Sequence, residues 1–291
     1  MTPAVEAWRR RGRTLTTRDG GVWTLDVPGP GAAATPVLVL HGFPSSAFDF
    51  AEAIDRVAAR RRVVALDFPG FGLSDKPRDH GYSLFEQADV VLEVARAVGL
   101  ERAHLWAHDM GTSVATELLA RRERGLCPLS VASVTLMNGS VHVEMAHLTV
   151  GQKLLRSPLA DAFVRLSSRT TFMAQIRRTF GREPDEATLH SMWELLSRDD
   201  GVARLPATIR YVEERKRFRR RWIGALERCD VPLLVAWGRR DPVAVMAIAE
   251  KIAAGTPGAR LETWDDLGHW PQIEDPARVV GTVGAFWDGV G

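Results

Sequence analysis

Ala103-His104-Leu105-Trp106-Ala107-His108-Asp109-Met110-Gly111 is an apolar run that ends abruptly in a polar residue flanked by small ones. Ala103–Ala107 has the length and composition of a buried strand, and the residues that follow Gly111 (TSVATELLARRE) have helical character. A sharp strand-to-helix turn needs small residues two before and two after its tip, because the backbones there nearly touch. Ala107 and Gly111 meet that need around Asp109, so the pattern places Asp109 at the tip of a nucleophile elbow. A second register, Gly111-Thr112-Ser113-Val114-Ala115, would offer Ser113 as a serine nucleophile instead. The apolar run favours Asp109, since Ser113 would then lie one turn into the helix with its Oγ turned away from the sheet edge; a purely structural Asp109 is the remaining alternative.

Outward from the elbow, short apolar runs bounded by Gly and Pro alternate with amphipathic stretches, which predicts strand–helix alternation and a mainly parallel sheet. An opening hairpin is expected over residues 14–27, turning at Asp19-Gly20-Gly21. The buried strands are expected at Pro36–Leu40, Arg62–Leu66, Ala103–Ala107, Val131–Met137, Pro232–Trp237 and Arg260–Trp264. Phe85–Val98 has the period of a helix, with Gly99 as its C-terminal cap. Residues 141–222 carry helix-like periods and no convincing strand, and they lie between two core strands. They read as a helical cap inserted in a core of 1–140 and 223–291; ordinary crossover helices are the alternative.

Partners for Asp109 follow in the order nucleophile, acid, histidine. Asp241 sits in the loop leaving the strand Leu233–Trp237, at the strand ends where catalytic groups of open α/β sheets collect. His269 lies in the next such loop, Asp265-Asp266-Leu267-Gly268-His269-Trp270-Pro271, where Asp265 and Asp266 compete with Asp241 for the acid role. The first central strand ends in His41-Gly42-Phe43-Pro44. The backbone N–H groups of Phe43 and Met110 are the expected oxyanion hole; plain turn punctuation is the alternative for the first of these motifs.

The bulk numbers frame this. With 291 residues, 45% hydrophobic and 25% charged, the chain has ordinary globular composition, and a net charge of +2 gives no global case for nucleic acid or membrane binding. Two cysteines, Cys127 and Cys229, do not suggest a disulfide framework, and Met1–Gly20 lacks an apolar signal core, so a cytoplasmic location is expected. His142 and His147 lack a helix-face spacing for a metal, and no Gly-rich phosphate loop is present, so neither metal nor cofactor is expected. The basic run Arg215-Lys216-Arg217-Phe218-Arg219-Arg220-Arg221 reads as the solvated face of an amphipathic helix, or as a site for an anionic group.

The motifs HGFP, DFPGFGLSDKP (Asp67–Pro77), HDMG, GRRDP and GHWPQIEDP together resemble the epoxide hydrolase and haloalkane dehalogenase branch of the α/β-hydrolases. YSLFEQ and FRRRWIGAL bring the chain closer to the mesoderm-specific transcript group within that branch. The resemblance implies an α/β-hydrolase fold, a mostly parallel central sheet flanked by helices, and a carboxylate nucleophile. A carboxylate is charged at neutral pH and attacks an sp³ carbon without a base, leaving an ester on Asp109 that water, deprotonated by His269, then cleaves. Epoxide hydrolysis ranks first. In that branch cap tyrosines hold the epoxide oxygen, and Tyr211 matches one of them; the only other tyrosine, Tyr82, lies outside the cap, so the usual pair is absent. Dehalogenases of this branch place side-chain N–H donors where this chain has Met110 and Phe43, and fluoroacetate dehalogenases follow the nucleophile with arginines that Met110-Gly111-Thr112-Ser113 lacks.

Tyr211, Arg215, Phe218 and Trp222 share one helical stripe that faces either the site or the core. Candidate substrate contacts are Phe218 and Trp222 on that stripe, with His41, His108 and Trp270 beside the catalytic groups. The expected partners are a small apolar substrate and water, not nucleic acid or membrane, and a homodimer is left open. Dehalogenation, a serine esterase using Ser113, and a non-catalytic ligand-binding protein are the alternatives.

Overall fold

The computed structural model describes residues 1–31, 34–139 and 141–290. Its strands β1 (Arg13–Thr17), β2 (Gly20–Val27), β3 (Val37–Leu40), β4 (Val63–Leu66), β5 (Arg102–His108), β6 (Ser130–Met137), β7 (Leu233–Gly238) and β8 (Arg260–Trp264) form one sheet in the order β1-β2-β4-β3-β5-β6-β7-β8. Only the β1–β2 and β2–β4 pairings are antiparallel. All residues of β3 and β4 are buried, which is why they read as unbroken VLVL and VVAL rather than as alternating patterns. The hairpin turns one residue earlier than expected. Thr17 pairs with Gly20, so Arg18-Asp19 make the loop, and Gly20 and Gly21 belong to β2.

Helices α1 (Pro3–Arg11), α2 (Ala51–Ala58), α3 (Leu84–Ala97) and α4 (Met110–Arg122) precede β6. Ser83 and Glu86 cap α3 reciprocally, and Gly99 beyond its end takes φ 62°, a left-handed conformation that costs Gly little. Between β6 and β7 the described residues contain no strand. They form α5 (Val150–Leu155), α6 (Ala160–Leu166), α7 (Arg169–Arg177), α8 (Glu186–Ser197), α9 (Gly201–Thr208), α10 (Tyr211–Arg217) and α11 (Arg219–Glu227). The boundary expected at residue 222 falls inside α11, because that helix is tied to α4: Trp222 Nε1 and Arg221 Nε donate to the buried carboxylate of Glu117 at 2.8 and 2.7 Å. Helices α12 (Met246–Gly255), α13 (Pro271–Glu274) and α14 (Pro276–Asp288) complete the chain. No helix among the described residues is long and apolar enough to cross a membrane.

Candidate active site

The strand β5 delivers Asp109 at the tip of its turn into α4, with φ 47° and ψ −113°, a strained conformation for a residue with a side chain. Two glycines make room for it. A Cβ on Gly111 would sit 2.2 Å from the Leu40 carbonyl oxygen, and one on Gly42 would sit 2.5 Å from the Asp109 Cβ. The Asp109 carbonyl is held by Thr112 Oγ1 at 2.6 Å and by the Arg215 guanidinium at 3.1 Å.

On the Asp109 carboxylate, Oδ1 accepts a hydrogen bond from the Phe43 N–H at 2.8 Å, and Oδ2 lies 3.8 Å from His269 Nε2. His269 Nδ1 is 2.7 Å from Asp241 Oδ2. Asp241 in turn accepts from the Val243 and Ala244 N–H groups at 2.7 and 2.9 Å on Oδ1, and from Asn138 Nδ2 at 2.9 Å on Oδ2. The carboxylate is thus ringed by donors and can only accept. Burial alone would strip the proton from His269, but the charge of Asp241, its hydrogen bond and the charge of Asp109 outweigh burial and raise its pKa from 6.5 to about 9.

The competing acids are spent elsewhere: Asp266 pairs with Arg182 and Arg278, and Asp265 with Arg239. Ser113 is buried on α4, where its Oγ accepts from Arg215 Nε at 2.8 Å. Met110 begins α4 directly after the tip and is buried.

Four expected substrate contacts have other duties. His41 Nε2 accepts the Phe68 N–H at 2.9 Å, so Nδ1 carries the proton and donates to the Gly42 carbonyl at 2.9 Å, bracing the loop that presents Phe43. His108 Nε2 lies 2.7 Å from the His269 carbonyl and holds that loop. Burial keeps both neutral, with pKa values lowered to about 3 and about 4. Phe218 packs on Phe85 of α3 with ring centroids 4.8 Å apart, and Trp222 is bound to Glu117, so the far end of the stripe seats helices on the core and lines no substrate space. Trp270 does line the cavity beside His269, its Nε1 fixed on Thr179 Oγ1 at 2.7 Å.

Tyr211 is buried at the start of α10, its ring 5.7 Å from that of Phe43 and 4.5 Å from the Arg215 guanidinium carbon. Its hydroxyl makes no hydrogen bond among the described residues, and burial together with the nearby Asp109 charge raises its pKa. Arg215 is the surprise of the basic run. It is buried and makes no salt bridge among the described residues; its partners are Ser113, the Asp109 carbonyl and the Tyr211 ring. Others in the run are paired: Lys216 with Glu213, Arg219 with Glu144, Arg221 with Glu117. Asn138, at φ 40° after β6, is a site residue absent from the sequence expectations, and its one signal there is a polar side chain at a strand's carboxyl end.

An apolar cavity of about 90 Å³ opens beside Phe43 and His269, its walls including Leu155, Phe163, Phe172 and Trp270.

Residues 35–276 match the alpha/beta hydrolase fold family. LipZ of Mycobacterium tuberculosis, named as a hydrolase, is 43% identical over 277 residues, covering 94% of this chain and 95% of LipZ. The mesoderm-specific transcript protein of Mus musculus is 35% identical over 286 residues, covering 95% of this chain and 85% of that protein. Among solved structures, haloalkane dehalogenase DbeA from Bradyrhizobium elkani superposes with a TM-score of 0.82 at 20% identity, covering 96% of this chain and 98% of that one.

Proposed function

This chain belongs to the alpha/beta hydrolase fold family, and on that premise we propose that it hydrolyses epoxides to vicinal diols through an ester formed on Asp109. One observation carries the reading: Asp109 Oδ1 already accepts the Phe43 N–H at 2.8 Å while Oδ2 faces His269. The carboxyl group is held so that one oxygen attacks and the other becomes the oxyanion.

Asp109 Oδ2 attacks an epoxide carbon; the C–O ester bond forms as the ring C–O bond breaks. The ring oxygen takes the Tyr211 hydroxyl proton, and the guanidinium of Arg215 over the phenol ring at 4.5 Å favours the phenolate left behind. His269, protonated at rest, returns a proton to Tyr211 through water. Esterification also removes the Asp109 charge that helped hold the His269 proton. His269 is then a neutral base, oriented by Asp241, and takes a proton from water as the oxygen adds to the Asp109 carboxyl carbon. Negative charge gathers on Oδ1 against the Phe43 and Met110 N–H groups. Collapse releases the diol, which takes a proton from His269; the restored carboxylic acid passes its proton back to His269. The net reaction consumes one water. Helices α5–α10 serve as the cap that keeps bulk water from the ester.

Dehalogenation lacks a side-chain N–H donor at Phe43 and Met110, and against a serine mechanism stands the Ser113 hydroxyl, which is bound to Arg215 and not to His269. The test is His269→Ala incubated with epoxides, haloalkanes and activated esters and read by intact mass. An adduct of one epoxide mass on Asp109 is expected. Ester cleavage by the wild type that Ser113→Ala abolishes, with no adduct from any epoxide or halide, would overturn the assignment. Wild type and variant both silent, with a ligand-induced melting shift, would favour a binding protein.

A further inference from the structure

Six large apolar side chains are exposed among the described residues, and three of them fall within 17 positions: Val150 at 73%, Leu159 at 61% and Leu166 at 80%. Scattered exposed apolar residues are ordinary, but a cluster at a cavity mouth marks an interaction surface. Leu159, Phe163 and Leu166 stand at i, i+4 and i+7, one stripe of α6 and its N-cap. Phe163, in the middle of that stripe, is half-buried and lines the apolar cavity that leads to His269.

The charge of the same segment is one-sided. Residues 150–178 contain Lys153, Arg156, Arg165, Arg169, Arg177 and Arg178 against a single acid, Asp161, a net +5 in a chain whose total is +2. Arg156 is paired with Glu213, and Arg177 with Glu183 and Glu186. Lys153, Arg165, Arg169 and Arg178 are exposed and in no salt bridge among the described residues. The whole-chain charge of +2, which gives no case for a membrane partner, averages this cluster away.

We propose that the α5–α7 face, with Leu159 and Leu166 as its apolar contacts, docks on an anionic phospholipid bilayer and admits lipophilic substrate to the cavity from the membrane. Exposed apolar side chains and unpaired cations in one short segment are the pattern of an interfacial element: the first enter the headgroup–acyl boundary, the second meet lipid phosphates. A second copy of the chain is the poorer occupant, because the cations Lys153, Arg165, Arg169 and Arg178, unpaired among the described residues and opposed within the segment by Asp161 alone, would meet their own like charges. The arrangement also gives the cavity a use for its position, since Phe163 joins the exposed stripe to the space beside His269.

The experiment is flotation of the full chain with vesicles of phosphatidylcholine alone, and with vesicles containing phosphatidylglycerol, at low and high salt. Binding to the anionic vesicles at low salt is expected, weaker on neutral vesicles and weakened by salt. Leu159→Ser with Leu166→Ser should lower partitioning on the order of 10-fold per leucine. Arg165→Gln with Arg169→Gln should lower it about 5-fold per residue on anionic vesicles only. Because all four side chains are exposed, the thermal melt should not move. No binding of the wild type to anionic vesicles, or undiminished binding of both double variants, would overturn the proposal. So would a native dimer that the leucine variant converts to monomer while vesicle binding is unchanged. Turnover is not read, so the result stands apart from the Asp109 chemistry.

Discussion

Asp241→Asn replaces an acceptor by a group that must also donate, in a place where all four neighbours donate. Val243 N–H, Ala244 N–H, Asn138 Nδ2 and His269 Nδ1 surround the carboxylate at 2.7–2.9 Å. If the amide nitrogen takes the Oδ2 position, His269 Nδ1 has to accept, and its ring proton moves to Nε2, the atom that should take a proton from water. The charge change is as large. Asp241 is first among the influences that hold the His269 proton, and burial opposes it. Without that charge, His269 should titrate below its ordinary 6.5 instead of at about 9, a change worth about 3 kcal/mol or more.

Titration of the His269 imidazole by NMR needs no substrate and reads this directly. The stability of the two proteins should follow the same sign. A histidine whose folded pKa is raised stabilises fully below about 6.5 and loses that contribution as pH rises through about 9. The wild type's advantage over the variant in urea melts should therefore shrink by about 3 kcal/mol between pH 6 and pH 10. Turnover should fall by roughly 10³–10⁴, as for a mis-tautomerised histidine in a triad, with ester formation on Asp109 spared because that step needs no base. A His269 that still titrates near 9 in Asp241→Asn would refute the argument.

Ser113→Ala should keep its hydrolytic activity while losing about 1–3 kcal/mol of stability, since Arg215 Nε loses its buried acceptor; abolished turnover would implicate the hydroxyl. Gly111→Ala should fail to reach native stability, because its Cβ would stand 2.2 Å from the Leu40 carbonyl; a normal melt would show that the elbow has room to shift. Glu117→Ala removes the acceptor for Arg121, Arg221 and Trp222 and should cost about 3 kcal/mol, the low end for a broken buried ion pair because the two arginines are 13% and 20% exposed. A loss under about 1 kcal/mol in a denaturant melt would mean that α11 is seated on α4 mainly by its rings.

Much of this was legible along the chain because it depends on neighbours in sequence. The six strands appear within two residues of where apolar runs bounded by Gly and Pro put them, although β8, at the sheet edge, is exposed over Arg260–Glu262 and not buried as expected; the elbow follows from Ala107, Asp109 and Gly111 alone. Asp241 and His269 were legible because the ends of parallel strands share one edge of the sheet, so loop position stands in for distance. That reasoning gave a place to each and no contact to either; it left Asp265 and Asp266 as rivals, and only their pairing with arginines disposes of them.

The histidines and the Tyr211 stripe mark where such reading stops. His41 and His108 are flanked by catalytic groups, yet their ring nitrogens are bound to Phe68 and to His269, 27 and 161 positions away. A helical period tells which of Tyr211, Arg215, Phe218 and Trp222 share a face and nothing about what that face meets. Here it meets Phe43 and Asp109 at one end and Phe85 and Glu117 at the other. The order of strands, the turn at Asp109 and the sequence of its partners are set by local spacing and by the chirality of parallel crossovers, both written into the chain. The duty of each polar group in the site is set by which donor or acceptor the packed layers bring within 3 Å of it, and that is decided only when the sheet and its helical layers have closed together.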